Sequence, residues 1–113
     1  HYFMTISLEL LQKAILQLIM NKSGLTQEDL DIAKDGEVKK GCLILTEEEY
    51  KEKAFEGRKD FKFVIAKNLK TISYELFFES SLQFAFMPNV EGVNNHAFYY
   101  SSLTAGCFLK VRS

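Results

Sequence analysis

The chain has 113 residues and a formal net charge of −1, so it is the size of one domain and carries no large excess charge of either sign. Hydrophobic residues make up 47% of it, including ten Phe and five Tyr, and this composition excludes an intrinsically disordered protein. The net charge excludes the global basic field that draws proteins to nucleic acids or to anionic lipids. We predict a single α+β domain over residues 4–113 and interpret residues 1–3, which precede Met4, as the remnant of a tag or vector.

The N-terminal part of the chain predicts an amphipathic helix over residues 7–22. Apolar residues recur there at the spacing of one helix face, namely Leu8, Leu11, Ile15, Leu18 and Ile19. Thr5 or Ser7 is expected to begin the helix, and Lys22 and Gly24 to end it. Polar residues interrupt the apolar run, so neither a signal peptide nor a membrane span is predicted.

The stretch LTQEDL, residues 25–30, has the composition of a helix start. Thr26 is the predicted N-cap, because its hydroxyl can accept a backbone N–H of the first turn. The acidic residues that follow favour the positive end of the helix dipole, and Leu25 and Leu30 are spaced as a hydrophobic staple. We expect a short helix that ends before Gly36.

The stretch LTEEEY, residues 45–50, has the same chemistry and predicts a third helix that runs to Gly57. Thr46 is the predicted N-cap, Glu49 completes a capping box, and Leu45 with Tyr50 forms the staple. Between the two stretches, GCLIL predicts a strand. Because different elements precede the two stretches, we interpret them as independent helix starts and not as a structural repeat; a repeat array would also need about three units.

Beyond residue 60 the hydrophobic period changes from helical to two, which predicts strands. FKFVIAK alternates as a half-buried strand, and the even positions from 72 to 86 are apolar except for Ser80. That run is long for one strand, so a turn or a bulge is expected near Glu79, Ser80 and Ser81. HAFYYSSL and AGCFLKVR are the last strand candidates, with LTAG as the turn between them. The predicted fold is α+β, with about three N-terminal helices packed on one face of a C-terminal antiparallel sheet of about four to five strands.

The sequence predicts no metal site and no cofactor. Asp31, Asp35 and Gly36 match part of the spacing of a calcium-binding loop, but Ala33 and Cys42 occupy positions that need oxygen ligands. No Gly-rich phosphate loop and none of the common hydrolase motifs occurs. The basic and aromatic stretch RKDFKF lacks the glycines of an RNA-binding strand, so we interpret it as a solvated strand edge and predict no direct contact with nucleic acid.

The two cysteines and one histidine define the strongest enzymatic alternative. Cys42 and Cys107 lie in apolar settings without metal-ligand spacing, and both are predicted to be buried reduced thiols. His96 could in principle activate a cysteine, although a histidine after two asparagines is more typical of a turn. The alternative function is therefore a small-ligand-binding or enzymatic α+β domain with a pocket between helices and sheet, served by His96, Tyr99 or Cys107.

Negative charge is concentrated in one segment. Residues 25–60 contain eleven of the fifteen acidic residues against seven basic ones, a net charge of −4. Helix dipoles and i,i+4 pairs such as Glu47 with Lys51 and Glu49 with Lys53 account for part of this acidity. The remainder predicts an anionic surface that binds a basic partner, and the proposed contact residues are Glu28, Asp29, Asp31, Glu47, Glu48, Glu49 and Glu52.

In size, single-domain build and local acidity the chain resembles small bacterial immunity or inhibitor proteins. That resemblance implies a cytoplasmic, non-enzymatic protein that neutralises a toxin by covering its basic active site. We therefore expect a protein partner with a basic surface, such as a nuclease toxin, no association with membranes, and a monomer or weak dimer. A second alternative is a self-associating structural domain that pairs an exposed strand edge with another copy.

Overall fold

The computed structural model describes residues 2–93, 96–98, 103 and 105–107, and for residues 2–9 and 105–107 it describes the backbone alone. Two helices come first, α1 (Tyr2–Ser23) and α2 (Gln27–Ile32). Seven short strands follow, β1 (Val38–Lys39), β2 (Cys42–Ile44), β3 (Phe63–Ile65), β4 (Thr71–Ile72), β5 (Phe84–Phe86), β6 (Gly92–Val93) and β7 (Ala105–Cys107). The α+β class predicted from the sequence is confirmed.

The main sheet has five strands in the order β1-β2-β3-β5-β7. β1 is antiparallel to β2, whereas β2, β3, β5 and β7 are parallel to one another, so the sheet is mixed. In register, Cys42 pairs with Phe63, Phe63 with Phe84, and Phe84 with Ala105. The step in residue number between the two paired residues is the same in all three pairs. β4 and β6 form a second, two-stranded parallel sheet, in which the pairing of Thr71 with Gly92 repeats that step.

This constant step, which we call the coil period, makes the chain from β2 onward a stack of coils. Each coil begins with a strand of the main sheet, and the described residues between these strands form turns and bends, with β4 and β6 in two of the coils. The coil period is about 21 residues and lies within the range of solenoid proteins, about 20–50 residues per unit. The sequence analysis did not predict this repeat, and LTQEDL and LTEEEY are not its units.

Backbone and side-chain hydrogen bonds join successive coils outside the sheets. The N–H groups of Lys53, Phe55 and Gly57 donate to the carbonyls of Tyr74, Leu76 and Phe78, each one coil period further on, at 3.2, 3.1 and 2.7 Å. The side-chain amides of Asn68 and Asn89 occupy the same position in successive coils. They donate to the carbonyls of Thr46 and Lys67 at 3.0 and 2.5 Å.

Aromatic rings are stacked through the interior of the coils. The Phe77 ring lies between those of Phe55 and Phe98, with centroid distances of 5.7 and 5.6 Å and nearly parallel planes. Leu43, Val64 and Ala85, the middle residues of three neighbouring strands, point into the same core. This stack buries large apolar areas between coils that could not form a core singly.

Helix α1 covers the other face of the main sheet. Its buried residues Ile15 and Ile19 pack against Phe63, Ile65 and Phe86. All three residues of β3 are consequently buried, and the half-buried strand predicted there is wrong because both faces are covered, as is typical of parallel sheets. In the part of the chain that the structure describes, no helix is long and apolar enough to cross a membrane.

The two predicted N-terminal helices are confirmed. α1 extends further towards the N-terminus than predicted and ends before Gly24, whose φ of 80° and N–H bond to the Met20 carbonyl (2.9 Å) terminate it. α2 begins after its predicted N-cap, Thr26. It ends at Ile32, and the residue that ends it is Ala33 in an extended conformation, not Gly36.

The predicted third helix is wrong. Residues 45–57 form bends and turns, and the φ of Lys53 is 61°, which a right-handed helix does not allow. Backbone groups that a helix would pair internally bond to the next coil instead. The Glu48 carbonyl, for example, accepts the Lys70 N–H at 2.9 Å.

The predicted antiparallel arrangement of the sheet is also wrong. The apolar even positions between residues 72 and 86 do not form a hairpin, because turns occupy residues 74–79 and β5 pairs with β3 in parallel. The strands predicted in GCLIL, FKFVIAK and AGCFLKVR are present as β2, β3 and β7. Of the HAFYYSSL strand, residues 96–98 form a turn and most of the remainder lies outside the described residues.

Candidate binding surface

The candidate surface lies where α2 meets the loop after β2. At the start of α2, the Asp29 N–H donates to Thr26 Oγ1 (3.1 Å) and the Thr26 N–H donates back to Asp29 Oδ2 (3.0 Å), which forms a capping box. Lys40 Nζ lies 2.9 Å from the same carboxylate oxygen. Its hydrogen bond, together with that of the Thr26 N–H, lowers the pKa of Asp29 to about 2. The charge of Asp29 therefore stabilises the start of α2 and the ion pair with Lys40.

Asp35 connects the end of the α2 region to the loop after β2. Its carboxylate accepts the Thr46 N–H at 2.8 Å and a short hydrogen bond from the Tyr50 hydroxyl, whose oxygen accepts the Glu47 N–H at 3.0 Å. Burial acts to raise the pKa of Asp35, but the bonds from Thr46 and Tyr50 outweigh it and the pKa is lowered. Burial and the carboxylate of Asp35 raise the pKa of Tyr50. This network fixes the loop against the α2 region.

An open pocket of about 140 Å³ lies between these two segments. Three parts of the chain line it: the end of α2, the end of β2 with the residues that follow, and the end of β3 with the residues that follow. The lining residues are Leu30, Asp31, Ala33, Ile44, Leu45, Thr46, Ile65, Lys67 and Asn68. Apolar side chains form most of the lining, and one carboxylate and one ammonium group provide its charges.

The acidic residues predicted as contacts divide into two groups. The first group has partners within the chain. Asp29 pairs with Lys40, Asp31 accepts Gln27 Nε2 at 2.8 Å, Glu48 pairs with Lys70 at 3.6 Å, and Glu47 accepts the Thr46 hydroxyl at 3.3 Å. The second group, Glu28, Glu49 and Glu52, is exposed, and the side chains of these residues make no hydrogen bond or ion pair within the described part of the chain.

The predicted i,i+4 pairs of a helix do not form in the loop after β2, because there is no helix. Lys53 pairs instead with Glu75 at 3.6 Å, and Glu48 pairs with Lys70. Each of these pairs joins residues of two successive coils, so the charges connect neighbouring coils. Glu49 is left without the partner that the helix would have given it.

The structure describes only part of the alternative pocket predicted around His96, Tyr99 and Cys107. His96 is exposed with a φ of 63°, and its ring lies 5.8 Å from that of Tyr74. Tyr99 lies outside the described residues. The backbone of Cys107 pairs with Phe86 in the sheet. Cys42 is a buried free thiol, as predicted, and burial raises its pKa, so its thiolate is disfavoured.

Sequence reasoning missed Asp35, Tyr50 and Lys67 as parts of this site. Asp35 and Tyr50 contact each other across 15 positions of sequence, which no local pattern reveals. Lys67 could have been identified as a residue of the site from the coil period. The coil period places Lys67 at the position in its coil that Thr46 occupies in the preceding one, so the two residues lie side by side.

Within the described residues, no group of three or more His, Cys, Asp or Glu side chains is arranged to hold a metal ion. The surface combines exposed acidic side chains with a small pocket whose lining is mostly apolar. Its function has to be inferred from this chemistry, since the fold alone does not specify it. No family model, no curated protein and no solved structure matches the chain.

Proposed function

We propose that this chain is a protein-binding module that contacts a basic partner through its acidic segment, residues 28–52. The observation that carries the proposal is the set of exposed carboxylates without a partner in the described part of the chain, Glu28, Glu49 and Glu52. Carboxylates that do no structural work gain most from a complementary surface, because they lose no internal bond on binding.

The absence of a third helix strengthens this interpretation. In a helix, Glu47, Glu48 and Glu49 would occupy the first turn and stabilise the helix dipole. In the structure they lie in a loop, so the dipole cannot account for their charge. Only Glu48 among them forms an ion pair within the described chain. The acidity of this loop therefore exceeds what the fold uses.

The loop is also held in a defined shape. Its backbone donates to Asp35 and to the Tyr50 hydroxyl, and its Glu48 carbonyl accepts the N–H groups of Lys70 and Thr71 at 2.9 and 3.5 Å. A surface fixed in advance loses little conformational entropy when a partner binds. Stacked-coil proteins commonly present extended binding surfaces of this kind.

Inhibition of a toxin is the specific form of this proposal. An inhibitor or immunity protein would cover a basic active site, such as that of a nuclease, with the exposed carboxylates of residues 28–52. This form rests on the small size and local acidity of the chain. Its distinguishing prediction is that the captured partner is an enzyme whose activity the chain abolishes.

The test compares two charge-reversed variants of the immobilised chain. The first, Glu49→Lys with Glu52→Lys, changes the acidic segment at residues that make no internal bond. The matched control, Glu56→Lys with Glu91→Lys, changes net charge equally at exposed residues whose side chains also make no described bond. Proteins retained from a host-cell lysate are identified for each column, and each candidate is then titrated in solution at low and moderate salt.

We expect a basic protein that the wild type and the control retain and that the first variant binds roughly tenfold more weakly, because like charges then face each other at the interface. A tenfold change in affinity corresponds to about 1.4 kcal/mol of binding free energy. Binding to the wild type should weaken with salt. Equal retention by all three chains, with no dependence on salt, would contradict the acidic contact surface.

A further inference from the structure

We infer that the pocket between α2 and the ends of β2 and β3 accepts one apolar side chain of the partner, from a segment in which basic residues flank that side chain. This inference rests on the proposed function and adds to it the residue chemistry that the surface recognises. Three features of the pocket carry it: its size, its apolar lining and the charge around its mouth.

The size of the pocket fits a single side chain. Its volume is about 140 Å³, and an apolar cavity of about 150 Å³ holds one benzene molecule. Pockets for whole small ligands are larger, about 300–1,000 Å³. A phenyl ring or a branched aliphatic side chain would therefore fill this pocket, whereas a metabolite of ordinary size would extend well beyond it.

The lining of the pocket is apolar at its base. Leu30 and Ala33 from α2 and its cap face Ile44 and Ile65 from the ends of two parallel strands. Ile44 and Ile65 are nearly fully buried by the rest of the fold, with 4% and 1% of their surfaces exposed. The base of the pocket is therefore rigid, and burying an apolar side chain there contributes roughly a tenfold gain or more in affinity.

Acidic residues adjoin the lining of the pocket in α2 and in the loop after β2. Asp31 lines it, and Glu28 lies one helical turn before Asp31 on the same face of α2. Glu47 adjoins the lining residue Thr46. Lys67 is the opposing cation on the β3 side. Basic residues beside the inserted side chain would meet the carboxylates of α2 and of the loop, which selects a basic segment over an acidic one.

Nuclear magnetic resonance titration with short capped peptides tests this inference directly. The probe is acetyl-Lys-Phe-Lys-amide, and the comparison peptides are acetyl-Lys-Ala-Lys-amide and acetyl-Glu-Phe-Glu-amide. We expect the first to bind about tenfold more tightly than either of the others, since each lacks one of the two contributions. The backbone amide signals of Ala33, Thr46 and Asn68 should shift on binding.

Three variants locate the site. Ala33→Leu fills the pocket and should abolish the preference for Phe over Ala, with the amide spectrum confirming that the chain is folded. Asp31→Asn keeps the acceptor for Gln27 but removes the charge, so it should weaken binding of the Lys-Phe-Lys peptide. Lys67→Gln removes the opposing cation and should strengthen that binding.

The outcomes separate this inference from the proposed function. Equal binding of the Phe and Ala peptides that carry Lys would overturn the pocket inference and leave the acidic surface in place. Equal binding of the Lys and Glu peptides that carry Phe would overturn the acidic surface as well. Binding of phenethylammonium as tight as that of the Lys-Phe-Lys peptide would also overturn the inference, because it would identify a small amine as the occupant.

Discussion

Two stretches of nearly identical chemistry, LTQEDL at residues 25–30 and LTEEEY at residues 45–50, adopt different structures. In the first, Thr26 caps helix α2 through a bond with Asp29, three residues away. In the second, Thr46 precedes a loop, and its N–H bonds to Asp35, 11 residues earlier. Glu49 holds the position equivalent to Asp29 but makes no hydrogen bond within the described chain. The same residues thus act as a helix signal in one place only.

The two stretches differ in the hydrogen bonds that residues outside the stretch make with them. Around LTQEDL, the capping hydrogen bonds lie within the stretch itself, and among the described residues Lys40 adds an ion pair from further along the chain. Around LTEEEY, the Glu48 carbonyl accepts two N–H groups from the next coil, and Lys53, Phe55 and Gly57 donate to that coil. A capping box contributes about 1–2 kcal/mol, which several hydrogen bonds and a shared core exceed.

Contacts between coils should therefore contribute the most to the free energy of unfolding. Phe77 is fully buried and stacks on Phe55 and Phe98, so Phe77→Ala is expected to lower the free energy of unfolding by about 3–5 kcal/mol. Leu30→Ala, at the half-buried staple of α2, should cost only about 1–2 kcal/mol. Urea denaturation followed by circular dichroism measures both values. Equal losses would show that the helical region and the coils contribute alike.

The Tyr50 hydroxyl is one of the contacts that hold the second stretch in its loop. Tyr50→Phe removes the bond to Asp35 and the acceptor for the Glu47 N–H, and we expect a loss of about 1–2 kcal/mol in the free energy of unfolding. Tyr74→Phe is the control, since the Tyr74 hydroxyl makes no described hydrogen bond, and it should change stability by less than about 0.5 kcal/mol. A comparable loss in the control would mean that the network does not fix the loop.

The two threonines give the most direct comparison of the stretches. Thr26→Ala removes the acceptor for the Asp29 N–H and should destabilise the protein by about 1 kcal/mol. Thr46→Ala removes a hydroxyl that donates to Glu47 at 3.3 Å and helps to lower the pKa of Asp35. It leaves the backbone bond to Asp35, so a change within about 0.5 kcal/mol is expected. Both are measured by urea denaturation. Equal losses would show that Thr46 stabilises its loop as strongly as Thr26 stabilises its helix.

The sequence predicted the elements whose causes are local. The apolar stripe with Ile15 and Ile19 predicted α1, and Thr26 with its acidic neighbours predicted the start of α2. The apolar runs predicted the positions of β2 and β3. Their pairing was not predicted, because parallel strands one coil period apart share no hairpin signal.

The repeat itself was hidden by the first coil. Asn68 and Asn89 hold matching positions and make matching bonds, but the preceding coil has Glu47 at that position. Leu69 and Val90 likewise match each other and are buried, whereas the corresponding residue of the first coil, Glu48, is exposed. The site was missed for the same reason, since Lys67 reaches the pocket only through the stacking of coils.

Asp29 and Glu49 can be compared through the pH dependence of the free energy of unfolding. The change in stability should be the smallest of those predicted here, because Asp29 lies at the surface. Its pKa falls from 3.8 to about 2 in the folded protein, so the folded state binds the proton less readily than the unfolded state. The stabilisation is therefore present above pH 3.8 and is lost as the pH falls towards 2.

Asp29→Asn removes the ion pair with Lys40 and should abolish this part of the pH dependence. Glu49→Gln, the matched control, should leave it unchanged because Glu49 makes no described bond. Urea midpoints measured between pH 6 and pH 2 test this: a difference between wild type and Asp29→Asn that stays constant as the pH falls would show that the charge of Asp29 does not stabilise α2.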